Sequence, residues 1–275
     1  MSASKNSRRF DVSVIIPCYN QGKYIDETIQ SVLASTYTDL EIIVINDGSS
    51  DSLTNKLLKT HIWPKTSIYH TLNQGVSASR NFGINKSSGK YILPLDADDK
   101  IDRTYIEKAI KIFENTSDVL LVYSRAMFFG RKNKKWLLPE FSMEIMLGQN
   151  VIFCSAIFRR SDFDKTGGYN SNMRGGFEDW DFWLSLLEIE RGGKVIRIDE
   201  PLFFYRIKAR SRNTDINSAM YSELRKTIYE NHKKLYNSSF FNPVYSFEYS
   251  NLLRSNEYRI GSLILWPFKQ FLKLF

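Results

Sequence analysis

At 275 residues, with 43% apolar and 14% aromatic content, the chain can bury one substantial α/β core and leave a modest appendage. Two cysteines, Cys18 and Cys154, exclude a disulfide framework, and no Cys pair or Cys/His cluster marks a zinc site, so a reducing compartment is expected. The net charge of +8 sits almost wholly at one end. Residues 201–275 hold 12 Lys/Arg against 5 Asp/Glu and residues 1–200 hold 26 against 25, which points to an anionic partner for the tail.

No nucleic-acid-binding motif accompanies the charge, so nucleic acid is not an expected partner. Met1 to Arg9 is polar and basic but runs into Phe10-Asp11-Val12 rather than an apolar signal core, and secretion is not expected. No stretch approaches the roughly 20 apolar residues that cross a bilayer; Leu263 to Phe275 is short and broken by Pro267 and two lysines. A cytoplasmic protein is expected, either free or peripheral on the inner face of the plasma membrane.

In chain order, Val12 to Ile16 reads as a buried strand ending at Pro17, and Ile25, Ile29, Val32 and Leu33 fall on one face of a helix. Glu41 to Ile45 is a second strand that stops at Asn46-Asp47-Gly48-Ser49, where turn residues crowd together. A third strand lies around Ser67 to Leu72, a helix follows from about Ser77, and Tyr91 to Leu95 is a strand running into Asp96-Ala97-Asp98-Asp99. Ile106, Ala109, Ile110 and Phe113 mark another amphipathic helix. Beyond it come a strand-like Val119 to Phe129, a glycine-rich loop from Gly167 to Gly176, and a helix opened by Glu178-Asp179. Strands alternating with helices imply βαβ units and a mainly parallel sheet, with ligands at the strands' carboxyl ends. Three of those ends carry Tyr19-Asn20, Asp47-Gly48 and Asp96-Ala97-Asp98, so one pocket can collect them.

Each motif has a plain alternative. Asp96 and Asp98 can hold a hard divalent ion or form a solvated acidic turn with Asp99 capping the next helix. Asp47 can accept a base N–H, or the Asp-Gly pair can be only a turn, with Asp51 as a helix cap. Arg80 can bind a diphosphate or lie on a helix surface. Glu178-Asp179 can supply a base or merely favour a helix dipole, and the basic run Tyr205 to Arg212 can clamp a diphosphate or be a solvated face.

Taken together, Val14-Ile15-Ile16-Pro17-Cys18-Tyr19-Asn20, Asn46-Asp47-Gly48-Ser49-Ser50-Asp51, Asn73 to Gly83, Asp96-Ala97-Asp98-Asp99 and Gly176-Phe177-Glu178-Asp179-Trp180-Asp181 resemble glycosyltransferase family 2 over about residues 10–210. The resemblance implies a GT-A fold, a Rossmann-like mixed and mainly parallel sheet flanked by helices. A catalytic domain is expected at 1–210 and a C-terminal helical extension at 211–275. It implies single-step, inverting transfer from a nucleotide diphosphate sugar, foremost a UDP-sugar, to a saccharide or lipid-linked saccharide in surface polysaccharide or glycolipid assembly. Pro17, Tyr19, Asn20, Asp47, Gly48, Arg80, Asp96 and Ala97 would bind the nucleotide, and Asp98 would ligate Mn²⁺ or Mg²⁺. Asp179 would be the base, with Glu178 positioning the acceptor, and Arg206 and Lys208 would meet the diphosphate or acceptor. Many members of the family carry a His where this chain has Lys208, which leaves the third protein contribution to the metal open.

The chain lacks the Gln-x-x-Arg-Trp motif and the membrane spans of the processive synthases, so transfer of one sugar is expected. A catalytically inactive sugar-nucleotide-binding module is the alternative; the Glu178-Asp179 pair argues against it. The tail, aromatic and basic from 258 to 275, suits an anionic membrane surface, with packing on protein or a homodimer contact as the alternative.

Overall fold

The computed structural model describes residues 10–189, 193–208 and 218–272. Met1 to Arg9, Ala209 to Arg212 of the basic run, and Lys273 to Phe275 of the tail lie outside the described residues.

The chain runs β1 (Val12–Cys18), α1 (Ile25–Leu33), β2 (Leu40–Asp47), α2 (Ser52–Thr60), β3 (Thr66–Thr71), α3 (Val76–Lys86), β4 (Tyr91–Pro94), β5 (Lys100–Ile101) and α4 (Tyr105–Asn115). It continues through β6 (Val119–Gly130), β7 (Lys134–Trp136), α5 (Met143–Gly148), β8 (Ile157–Arg159), α6 (Arg160–Phe163), α7 (Glu178–Leu187) and β9 (Lys194–Ile207). The helices α8 (Ser218–Asn231), α9 (Lys233–Ser238), α10 (Phe247–Arg254) and α11 (Asn256–Leu272) follow. This is the GT-A architecture expected from the sequence, a mixed and mainly parallel sheet flanked by helices, with helices at the C-terminal end.

Among the described residues nine strands form one sheet in the order β3-β2-β1-β4-β8-β6-β9-β5, with β7 on β6. The first four are parallel, and β8 is antiparallel to both β4 and β6. Apolar runs such as Ile42 to Ile45 are buried on both faces because helices cover each side. The helices obey the 3.6-residue period: Ile25, Ile29 and Val32 of α1 and Ile106, Ala109, Ile110 and Phe113 of α4 all enter the core.

Register decides where chemistry collects. Cys18 pairs with Asn46 and Ile15 with Pro94, so Tyr19, Asp47 and Asp96 leave three neighbouring strands at about the same level. No helix among the described residues is long and apolar enough to cross a membrane.

The chain divides into two compact units. One comprises Met1–Leu138 with Ile152–His232 and holds the whole sheet; the other comprises Pro139–Val151 with Lys233–Phe275. Inside the second unit the Tyr236 hydroxyl donates to the Leu147 carbonyl at 2.9 Å, and Gln149 Nε2 donates to the Tyr245 carbonyl at 3.0 Å.

Candidate active site

The loop after β1 and the loop after β2 are built as one piece. Asn20, at a positive φ of 55° that asparagine tolerates better than most residues, accepts from the backbone N–H groups of Ser50 at 2.8 Å and Asp51 at 3.1 Å. Its own N–H donates to Ser49 Oγ. Asp51 then accepts from Thr54 N–H at 2.7 Å and so caps α2. Asn20 thus shapes the loop, leaving the exposed Tyr19 ring, 47% accessible, and the half-buried Pro17 at its surface.

Asp47 is buried, with both carboxylate oxygens turned to the turn before α3. One accepts from Gln74 N–H and the other from Gly75 N–H, each at 2.9 Å. The lone pairs left over can still accept one N–H from a ligand. Gly48, at φ 64°, packs so closely that a Cβ would stand 2.5 Å from Asn73 N.

Arg80 is the centre of the site. Its guanidinium is 1% exposed; Nη2 donates to Asp96 at 2.7 Å and Nη1 to Glu178 at 3.0 Å, while the Tyr169 ring lies beneath it at 5.3 Å. It therefore joins the acidic turn after β4, 16 residues from it in sequence, to the first turn of α7, 98 residues from it. Ser77, Ser79 and Gly83 of α3 are buried, and Gly83 lets that helix sit against the sheet, where the Cβ of any other residue would strike Ile45 and Ile15.

Asp179 stands next to that pair. Burial, then the neighbouring Glu178 carboxylate, pushes its carboxyl up to about 7, with Arg80 pulling the other way and Asp96 adding a smaller upward push. A carboxyl poised there exchanges protons at neutral pH.

Asp98 and Asp99 are also driven upward, first by burial; Asp96's charge adds to both and Asp98's charge to Asp99, while Lys208 pulls both the other way. Asp99 is not the cap of α4. One of its oxygens accepts from Arg206 N–H at 2.8 Å and the other, buried, has no hydrogen-bond partner. Lys208 sets its ammonium on Asp98 Oδ2, and Lys208 also donates to Gln21 at 3.3 Å. Arg206 donates to the Asp98 carbonyl at 2.6 Å and to Glu27 at 2.5 Å, with Tyr24 and Phe129 on its faces. The charge of both basic residues is thus engaged inside the protein, at the acidic turn.

These residues fit a hard divalent cation. Ligand atoms of Asp96, Asp99 and Cys154 lie within 4.8 Å of one another, an orphaned carboxylate oxygen faces inward, and an ammonium already stands on Asp98 as a cation would. Burial holds the Cys154 thiol protonated, so the carboxylates are the usable ligands.

Of the residues singled out from sequence, Arg80, Asp96, Glu178 and Asp179 converge directly, and Asp98, Arg206 and Lys208 form an adjoining cluster. Pro17, Tyr19, Asn20, Asp47 and Gly48 line the neighbouring strand ends, and Ala97 is buried within the turn. Sequence reasoning missed Glu27, which also holds Lys100 at 2.6 Å, and Asn81, whose amide exchanges two 2.8 Å bonds with the backbone of Tyr169 and so fixes the glycine-rich loop. Asn81 lies inside the stretch Asn73 to Gly83, and that position is the available signal; Glu27, a solvent-side residue of an amphipathic helix, gives none.

The family model described as glycosyl transferase family 2 matches residues 13–182, well over half of the chain. The chain belongs to glycosyl transferase family 2. A glycosyltransferase of Haemophilus influenzae is 31% identical over 237 residues, covering 80% of this chain and 72% of that protein. The Escherichia coli chondroitin synthase is 27% identical over 257 residues, covering 90% of this chain but 35% of the synthase. Among solved structures, S. aureus TarS 1–349 in complex with UDP-GlcNAc superposes with a TM-score of 0.65 at 16% identity, over 81% of this chain and 66% of that one. A mannosyltransferase from Pyrobaculum calidifontis, in complex with GDP-Man and Mn²⁺, gives 0.58 at 15% identity, over 94% and 84%. The fold is shared with both. This protein is a glycosyltransferase.

Proposed function

We propose that this glycosyltransferase moves a single sugar from a nucleotide diphosphate donor, foremost a UDP-sugar, to an acceptor hydroxyl with inversion at the anomeric carbon. The observation that carries the reading is Arg80, which holds Asp96 and Glu178 to one guanidinium and so draws the acidic turn of β4 to the helix bearing Asp179.

In this reading Pro17, Tyr19, Asn20, Asp47 and Gly48 receive the base and ribose, Asp47 accepting from the base, and Asp96 and Ala97 border the ribose and diphosphate. Arg80 contributes by fixing Asp96. Asp98 would hold Mn²⁺ or Mg²⁺, with the buried Asp99 beside it in the chain. The ion, when bound, neutralises charge on the departing diphosphate. Lys208 leaves Asp98 and, with Arg206 at the base of the turn, adds positive charge beside the phosphates. Asp179 takes the proton of the acceptor hydroxyl, whose oxygen bonds to the anomeric carbon as the carbon–phosphate oxygen bond breaks and its electron pair leaves with the nucleotide. One displacement inverts the centre. Glu178 orients the acceptor.

The domain reading of 1–210 as catalytic and 211–275 as an extension goes with this function, as does a saccharide or lipid-linked acceptor in surface polysaccharide or glycolipid assembly at the cytoplasmic membrane face. The related TarS and mannosyltransferase structures carry UDP-GlcNAc and GDP-Man, which supports a nucleotide sugar donor.

The test is Asp179→Asn, with nucleotide diphosphate release measured across a donor panel in Mn²⁺ and in Mg²⁺. Wild-type turnover should rise with pH through about 7, because the base works only when ionised. The variant should lose roughly 10²- to 10⁴-fold in turnover while retaining UDP binding by calorimetry. Wild-type turnover in the variant would refute the base.

A further inference from the structure

Asp181 belongs to the motif that opens α7, yet the transfer reading gives it no task, and His232 lies just past the end of α8. Both are buried, Asp181 at 0% and His232 at 2% exposure. His232 Nε2 stands 3.2 Å from Asp181 Oδ1 and Nδ1 stands 3.1 Å from Glu188 Oε2. A neutral imidazole has one donor and one acceptor nitrogen, and the acceptor would then face a carboxylate; with both nitrogens on carboxylates, only the doubly protonated ring satisfies both contacts. Asp181 is the hub of the cluster. Its Oδ2 accepts from Asn170 at 2.6 Å, and its Oδ1 from Asn231 at 2.6 Å as well as from His232.

Asp181 and Glu188 are seven residues apart, two turns along one face of α7, so a single ring grips that helix at its first turn and at its end. The rest of α8 bears on the same helix. Arg225 lies over the Trp180 ring at 4.6 Å, and the Tyr221 ring meets Phe177 edge-on at 5.3 Å. Phe177, at φ 60°, is the residue on which the chain turns into α7, immediately before Glu178 and Asp179.

We propose that His232, as an imidazolium bridging Asp181 and Glu188, is a positioning residue for transfer: it fixes the first turn of α7 and with it the carboxylate of Asp179. The inference rests on Asp179 as the base. Among the described residues the ionisable groups facing the ring are Asp181 and Glu188, and Asn170 and Asn231 complete the cluster without charge. Burial alone would push the imidazole down, but Asp181 and then Glu188 outweigh it and hold it above its ordinary value. A raised folded-state value means that the brace is complete below the imidazole's ordinary value and is lost as pH climbs through the raised one. Turnover should therefore fall on the alkaline side through His232, separately from its rise through Asp179.

The experiment has two arms on the full chain. In the first, the imidazole Cε1–H resonance of His232 is titrated by NMR in the wild type and in Asp181→Asn; titration above the ordinary histidine range in the wild type, and a fall in the variant, is expected. In the second, His232→Gln is assayed for hydrolysis of UDP-GlcNAc and GDP-mannose with Mn²⁺ across pH. The expected result is a kcat lower by roughly tenfold to a hundredfold, donor KM within about twofold, and loss of the alkaline limb. Glu188→Gln, which keeps the ring and one carboxylate, should fall between the two and serves if His232→Gln does not fold. A His232 ring that titrates at or below the ordinary histidine value, or a folded variant with wild-type kcat and its alkaline limb intact, overturns the proposal. Failure of the base alone would appear in Asp179→Asn and leave the NMR titration as expected.

Discussion

A guanidinium shared between two carboxylates cannot be replaced by a point charge. Arg80 offers separate nitrogens to Asp96 and Glu178 from a rigid fork; a lysine ammonium can approach one of them and leaves the other under-compensated. Arg80→Lys should therefore cost stability even though charge is conserved. Breaking a buried pair costs roughly 3–5 kcal/mol, and the lower end applies because Asp96 is 32% exposed and recovers some hydration. Urea unfolding monitored by fluorescence would measure it, and a loss under about 1 kcal/mol would mean that the bridge is marginal. Little of this was legible from sequence. An arginine in a helix reads as a surface residue, and the partners lie 16 and 98 residues away, so only the order of the motifs hinted that they meet. Asp179 was legible as a residue type, but its upward shift comes from burial and from Glu178, which only the packing of α7 supplies.

At the scale of elements, period and punctuation carried most of the fold. The two-sided apolar runs of β1 and β2 and the single apolar faces of α1 and α4 were legible because burial there follows simple repeats. The short β8, three residues wedged antiparallel between β4 and β6, has no period to read, and its pairing with β4 joins residues more than sixty apart. Loop architecture was half legible. Asp-Gly announced the turn after β2, but the role of Asn20 as its scaffold depends on a left-handed backbone and on bonds across some thirty residues. The prediction at this scale is Gly48→Ala. A methyl group at φ 64° carries a backbone cost of about 1–2 kcal/mol, and here it would also press on Asn73 N at 2.5 Å. The loop must open, so UDP affinity in Mn²⁺ should weaken about tenfold or more, given that 1.4 kcal/mol is a factor of ten. Calorimetry on the variant would check this, and unchanged affinity would detach the loop from donor binding.

At the scale of the molecule, the second compact unit joins Pro139–Val151 to the far C-terminal helices, an association that chain order hides. Its last helix, α11, is 17 residues long, and Ile260, Leu263, Ile264 and Phe268 lie within one broad arc of it, 57%, 75%, 63% and 65% exposed. Ser262 falls on the opposite side, and Arg259 flanks the arc next to Leu263. Six Lys/Arg against two Asp/Glu over residues 233–275 give the tail the charge that an anionic lipid surface attracts. A second copy of the chain would meet that same positive charge, so electrostatics favours the membrane. Length decides the mode: the helix cannot span, and it is long enough to lie in the interface. The full chain should float with phosphatidylglycerol vesicles and stay behind with phosphatidylcholine, binding should weaken with salt, and Leu263→Glu with Ile264→Glu should abolish flotation while leaving donor hydrolysis in solution intact. If the wild type failed to float while light scattering found a dimer that the same double variant dissociated, the arc would be a contact between copies and the membrane reading would fall.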